Sequence, residues 1–231
     1  MAAIPVYLEV GRRRVFASAL DWPGWSRSGR DEDSALQALV DAGPRYRRAL
    51  GRAGKGLATP GAASGLRVVE RIPGNATTDF GAPGLAATGD DRPLPAAEAE
   101  RLSTLLRACW GAFDSSAEAA VGAVLRKGPR GGGRELDAIV EHVLDADLAY
   151  LRGLGGLAPK GDAAVDARMT AMRTAFLDTV ALLARGEPPP RTPRSGRLWP
   201  PRYAVRRSGW HAIDHAWEIE DRAEPPGRRA P

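Results

Sequence analysis

The chain reads as an α+β protein: a small antiparallel β-sheet carrying one helix, followed by a four-helix bundle. Three observations predict this. Runs rich in β-branched and aromatic residues, VYLEV, RVFASAL and LRVVERI, all lie before residue 75. From residue 93 onward apolar residues recur at three- and four-residue spacing instead. The segments that interrupt this second pattern are rich in Gly and Pro, which end helices. The implied divisions are a module over 1–75, a linker over 76–92, a bundle over 93–222 and a disordered tail over 223–231.

In the module, VYLEV and RVFASAL flank GRRR, whose like charges favour a solvent-facing turn, so the two runs form a hairpin. Pro23 and Gly24 then turn the chain into a short extended WSRSG. Trp22 and Trp25 on either side of that turn read as a cover for the edge of a small sheet. Asp31 is placed to cap a helix, Glu32 and Asp33 suit the positive end of its dipole, and Ala35, Leu36, Leu39 and Val40 follow at helical spacing. The order is βββα. The segment 51–65 is nearly all Gly, Ala, Pro and Ser and reads as a linker. Its GRAGKG lacks the spacing and the Ser or Thr after Lys of a phosphate loop. A fourth strand is expected over 67–72.

In the bundle, Leu102, Leu105, Leu106, Cys109, Trp110 and Phe113 form the apolar stripe of a first helix, predicted to end near Asp114. A second helix over 135–151 carries Ile139, His142, Val143, Ala146 and Tyr150 on one broad face. A third has Val165, Met169, Met172, Phe176, Val180 and Leu183, and a Pro-rich crossover over 187–201 leads to a fourth over 204–221.

Composition narrows the function classes. The single cysteine, Cys109, excludes an internal disulfide framework, fits a reducing compartment and reads as an inert buried thiol. No run of 18 apolar residues and no secretory leader is present, so a cytoplasmic protein without a membrane span is expected. The 231 residues carry a net charge of +5, and the excess is concentrated over 185–208, with seven arginines against Glu187. Being Pro-rich and poor in interleaved aromatics, this segment reads as a solvated loop rather than a nucleic-acid patch.

The chain has three histidines. His211 and His215 stand four residues apart, one helical turn on a shared face, and His142 lies on another helix. Three neutral imidazoles suit Zn2+, Ni2+ or a similar borderline ion and leave a coordination position open. Glu218 continues the His211–His215 stripe, and Asp145 is one turn from His142, so each is a candidate base or hydrogen-bond partner of a ligand. Trp210 and Trp217, seven apart, form a neighbouring stripe able to pack beside the site.

Two resemblances follow from these residues. The run FASALDWPGWSRSGRDEDSALQALVDA, with its D-x-PG turn and capped Ala-rich helix, resembles the N-terminal domain of HicB-type antitoxins over about 45 residues. Asp31 stands where that family usually has Thr or Ser. A histidine on the second bundle helix with His-x-x-x-His on the fourth resembles the DinB-like superfamily of metal-binding four-helix bundles over 93–222. That resemblance implies His142, His211 and His215 as ligands. It also implies activities such as S-transfer or isomerisation with a low-molecular-weight thiol, for instance bacillithiol or mycothiol, and a homodimer, since dimerisation is common among DinB-like bundles.

The expected function is therefore a metal-dependent enzyme acting on a small-molecule substrate, a thiol-dependent S-transferase or related hydrolase. The alternative is a non-catalytic, metal-stabilised binding protein whose HicB-like module docks RNA or a protein partner. In a third reading the module packs on the bundle and roofs the site.

Overall fold

The strand pattern of the N-terminal residues becomes a four-stranded mixed sheet in a computed structural model that describes residues 3–127, 133–161, 163–192 and 196–223. Strands β1 (Ile4–Val10), β2 (Val15–Ala19), β3 (Ser26–Gly29) and β4 (Leu66–Pro73) lie in the order β3-β2-β1-β4. β1 pairs antiparallel with β2, from Val6 opposite Ala19 to Val10 opposite Val15, and β2 pairs antiparallel with β3. The expectation of a wholly antiparallel sheet is corrected at β4, which runs parallel to β1. The reason is parity. Helix α1 (Glu32–Leu50) returns the chain across the sheet after three strands, so the next strand enters in the direction of the first.

β1 and β2 bury side chains on both faces, which is why their sequences do not alternate cleanly. Val6, Leu8, Val15 and Ala17 join the main core with Ala35, Leu39 and Tyr46 of α1. Phe16 on the opposite face packs with Ala82 and Trp210. Asp31 caps α1 through a capping box with Ser34, accepting from its backbone N–H at 2.8 Å.

The segments expected as linkers are ordered and anchored. A 3-10 turn spans Gly51–Gly54 and another Ala63–Gly65. Within 76–92, Asn75 caps the short helix α2 (Ala76–Phe80), and a 3-10 turn spans Thr88–Asp91. Buried Glu9 holds this segment to β1, accepting from Thr78 Oγ1 at 3.2 Å, the Gly84 amide at 2.8 Å and the Leu85 amide at 3.2 Å.

The bundle consists of α3 (Ala96–Ala119), α4 (Leu136–Gly153), α5 (Val165–Ala184) and α6 (Pro201–Arg222). α3 runs five residues beyond the predicted end at Asp114. Ser115 and Ser116 return their hydroxyls to the carbonyls one turn back, and Ser116 also donates to Glu220 of α6 at 2.8 Å. Arg202 pairs with Glu98 at one end of α3 and Ser116 meets Glu220 at the other, so α3 and α6 run the same way. Arg168 meets Glu141 and Thr179 lies against Gly156, so α4 and α5 also run alike. The lengthwise crossover is therefore the connection 154–164, read from sequence as a simple loop. The 187–201 segment instead links antiparallel helices that sit on opposite sides of the α3–α4 pair.

Three arginines of the basic segment correct its reading as solvated loop. Arg202, Arg206 and Arg207 belong to α6; Arg202 and Arg206 are buried and paired with Glu98 and Asp90. Likewise Arg222 closes α6 and Ala223, assigned to a disordered tail, forms an antiparallel bridge with Leu125, while 224–231 lie outside the described residues. No helix among the described residues is long and apolar enough to cross a membrane.

The turn at 21–25 is the key between module and bundle. Gly24 takes φ 96°, and a Cβ there would lie 2.9 Å from Cys109 Sγ and 3.1 Å from the Gly209 carbonyl. Gly209 is equally tight, its Cβ position 3.1 Å from the Gly24 nitrogen. Two glycines thus let the turn and α6 touch backbone to backbone. The Pro23 carbonyl accepts from Tyr46 Oη at 2.5 Å and from Cys109 Sγ at 3.3 Å. Cys109 is fully buried, which pushes its thiol up to about 12. Trp22 and Trp25 do not cover a sheet edge. Trp25 is buried, stacks on Tyr46 and donates to the Leu39 carbonyl at 2.8 Å, while Trp22 lies under the guanidinium of Arg101 on α3. Trp22 thus lies at the seam with the bundle, whereas Trp25 packs within the module against α1.

Candidate metal centre

α6 begins with Pro201 at its first position, where no amide hydrogen is needed, and is then enclosed by α3, α4 and the sheet module. Within 203–219 only Arg207, Asp214 and Glu218 are not buried. With His211 they trace a stripe at spacings of four, three and four, the one face of α6 left beside solvent. α4 borders this stripe with His142. On the other side Arg27 of β3 pairs with Asp214 at 3.4 Å and covers the Trp217 ring.

The three histidines converge. His211 Nε2 is 3.2 Å from His142 Nε2 and 3.2 Å from His215 Nε2, and the three ligand atoms lie within 4.8 Å of one another. Nitrogens held at about 2.05 Å by one tetrahedral ion stand about 3.3 Å apart, so the two separations from His211 fit a shared cation. Hydrogen bonding alone does not account for it, because a ring nitrogen has a single in-plane direction and cannot bond two other ring nitrogens at once.

Burial and nearby positive charge disfavour the charged forms of His211 and His142, the direction that ligation requires. Burial first, then His215 and Arg207, holds the His211 imidazolium well below its ordinary range. His142 is lowered by burial and by Arg134 and His215. His215 Nδ1 lies 2.7 Å from Glu218 Oε2, and Glu218 Oε1 accepts from Arg222 at 2.6 Å. An ionised carboxylate only accepts, so the proton sits on Nδ1 and the Nε2 lone pair faces the centre. The hydrogen bond from His215 in turn holds the Glu218 carboxyl below the usual range. His211 Nδ1, by contrast, is buried with no partner.

Of the sequence-predicted site residues, the structure brings together His142, His211, His215 and Glu218. Asp145 is exposed, and no hydrogen bond joins it to His142; one turn of helix rotates it past the ring toward solvent. Trp210 does pack beside the site, its ring centroid 6.1 Å from that of His211, whereas Trp217 faces Arg27 and Arg45 of the module.

Two further residues escaped the sequence reading. Asp147 is fully buried where α3, α4 and α6 meet, accepting from Ser208 Oγ at 2.6 Å and Trp110 Nε1 at 3.2 Å. Burial raises its carboxyl to about 7 against the pull of Ser208, Arg173 and Trp110. An acid midway between Leu144 and Leu151 on the apolar stripe was the available signal. Arg207, four residues before His211, packs against Tyr150 and Trp210; in sequence it was hidden among other arginines.

No protein-family model matches the chain, and neither does any curated protein or solved structure in the comparisons.

Proposed function

We propose that the chain is a DinB-like metal-dependent enzyme that holds one divalent ion of the Zn2+ or Ni2+ class through His142, His211 and His215 and acts on a small-molecule substrate by thiol transfer or hydrolysis. The observation that carries this reading is the convergence of three imidazole Nε2 atoms from two helices on one point. When bound, such an ion supplies Lewis acidity that stabilises negative charge on a thiol- or water-derived nucleophile.

The protein's own residues support an open, oriented site. Glu218 fixes the proton of His215 on Nδ1, and with both oxygens engaged it serves as a positioning residue rather than a base. His142 and Glu218 are part-exposed, so a reactant can approach along the open stripe of α6. The burial of Pro23 and Gly24 against α3 and α6 supports a module that braces the bundle over one that docks RNA through this turn.

Metal content of purified protein, measured by mass spectrometry beside His142→Ala and His211→Ala, tests the reading. One ion per chain in the wild type and none in either variant is expected. Wild-type protein that takes up neither Zn2+ nor Ni2+ on reconstitution overturns it.

A further inference from the structure

The arginines that border α6 are committed to acidic partners: Arg27 to Asp214, Arg202 to Glu98, Arg206 to Asp90, Arg222 to Glu218. Arg207 differs. Among the described residues no side chain or carbonyl accepts a hydrogen bond from it, and its buried Nη1 has no partner. Its guanidinium is held instead by the rings of Tyr150, at 5.4 Å from the centroid, and Trp210, at 4.7 Å. Two acids that feel its charge are occupied elsewhere, Glu9 by Thr78, Gly84 and Leu85, and Asp214 by Arg27. Placing a cation between aromatic rings without an anion fixes its position while leaving its donors free.

Arg207 also lies on the open stripe of α6, one turn before His211, a rise of about 6 Å along the helix. His211 Nδ1 is a second buried group without a partner on the same stripe. Buried donors in native proteins are almost always satisfied, so two together mark a place for an acceptor the chain does not supply.

We infer that Arg207 is the recognition site for a carboxylate on the substrate, held one helical turn from the histidine cluster. The inference rests on the metal reading above and names the class of ligand that site receives. The planar guanidinium fork matches a carboxylate edge-on through two parallel hydrogen bonds, and the rings against it restrict approach to the guanidinium plane. A ligand that engages both Arg207 and the cluster carries its anion a few carbons from its reacting group.

The probe is glutarate, two carboxylates on a three-carbon spacer, with neutral glutaramide as its control. Each is titrated calorimetrically into zinc-loaded wild type, Arg207→Met and Arg207→Lys, with zinc content measured on the same samples. Arg207→Met is expected to bind glutarate at least about ten-fold more weakly, with zinc content and glutaramide response unchanged. Arg207→Lys keeps the charge and volume, which guards against a folding defect, and is expected to recover only part of the affinity because it lacks the fork. Equal glutarate affinity in all three proteins overturns the inference. Displacement of glutarate by inorganic phosphate at lower concentration than by acetate also overturns it, in favour of a phosphate site. Failure of the wild type to hold zinc overturns the metal reading instead, a result read from the metal content alone.

Discussion

Glu9 and His211 are buried to nearly the same degree, yet their hydrogen bonding is opposite. Glu9 is fully enclosed in the sheet module and accepts from a hydroxyl and two amides, so the burial that raises its carboxyl pKa is opposed by three donors. His211, 6% exposed, shares one ring nitrogen between two other imidazoles and leaves the second without a partner. Arg206 and Arg207 differ in a related way between adjacent residues: the first is paired with Asp90, although its buried Nε has no partner, whereas the second has no acidic partner among the described residues. A saturated buried group staples structure, because removing it strands its partners. An unsaturated one costs free energy that a bound ligand can offset.

That contrast is open to attack from both sides. The largest stability effect is expected at the saturated end. Glu9→Ala strands three donors and should cost about 3 to 5 kcal/mol in denaturant unfolding, with zinc affinity unchanged. A loss under about 1 kcal/mol would show that the 76–92 segment is held by something else.

Asp147 tests a second saturated group, held by Ser208 and Trp110 where α3, α4 and α6 meet. Its folded pKa of about 7 lies above the ordinary unfolded value of about 3.9, so the native state holds the extra proton between those limits. Its contribution is fully present below about pH 4 and is lost as pH rises through 7. Asp147→Asn removes the titration, so the stability difference between wild type and variant should shift by roughly 2 to 4 kcal/mol in the variant's favour between pH 4 and pH 8. Parallel stability curves for the two proteins would place the proton elsewhere.

Glu218 belongs to both classes, saturated itself while serving the cluster, and its effect should be smallest on the fold. Glu218→Ala is expected to weaken zinc binding about 10- to 100-fold in chelator competition, with less than about 1 kcal/mol of stability lost because the side chain is 32% exposed. Unchanged affinity would mean that His215 is oriented by packing alone.

Local pattern carried a good deal of this molecule. The β-rich runs, the cap at Asp31, the apolar stripes of the bundle helices and the four-residue spacing of His211 and His215 were all legible, because each depends on residues a turn or a pleat apart. Glu218 was legible for the same reason, as the next position on the stripe. Asp145 acts on the charge of His142 without a hydrogen bond to it, because a helical period places a residue near a neighbour without telling which side of the helix meets another element.

The sequence by itself determined the α+β class, the succession of strands and long helices, and the histidine pair on the last helix. Only the tertiary structure decided that β4 joins β1 in parallel, that Gly24 and Gly209 bring the module against α6, and that His142 closes the triad from 69 residues away. It alone separated Arg207 from Arg202 and Arg206, whose acidic partners lie more than 100 residues earlier in the chain. Secondary structure is written in near-neighbour periodicity, whereas pairing and the absence of a partner depend on which surfaces pack together, and burial makes those distant meetings count.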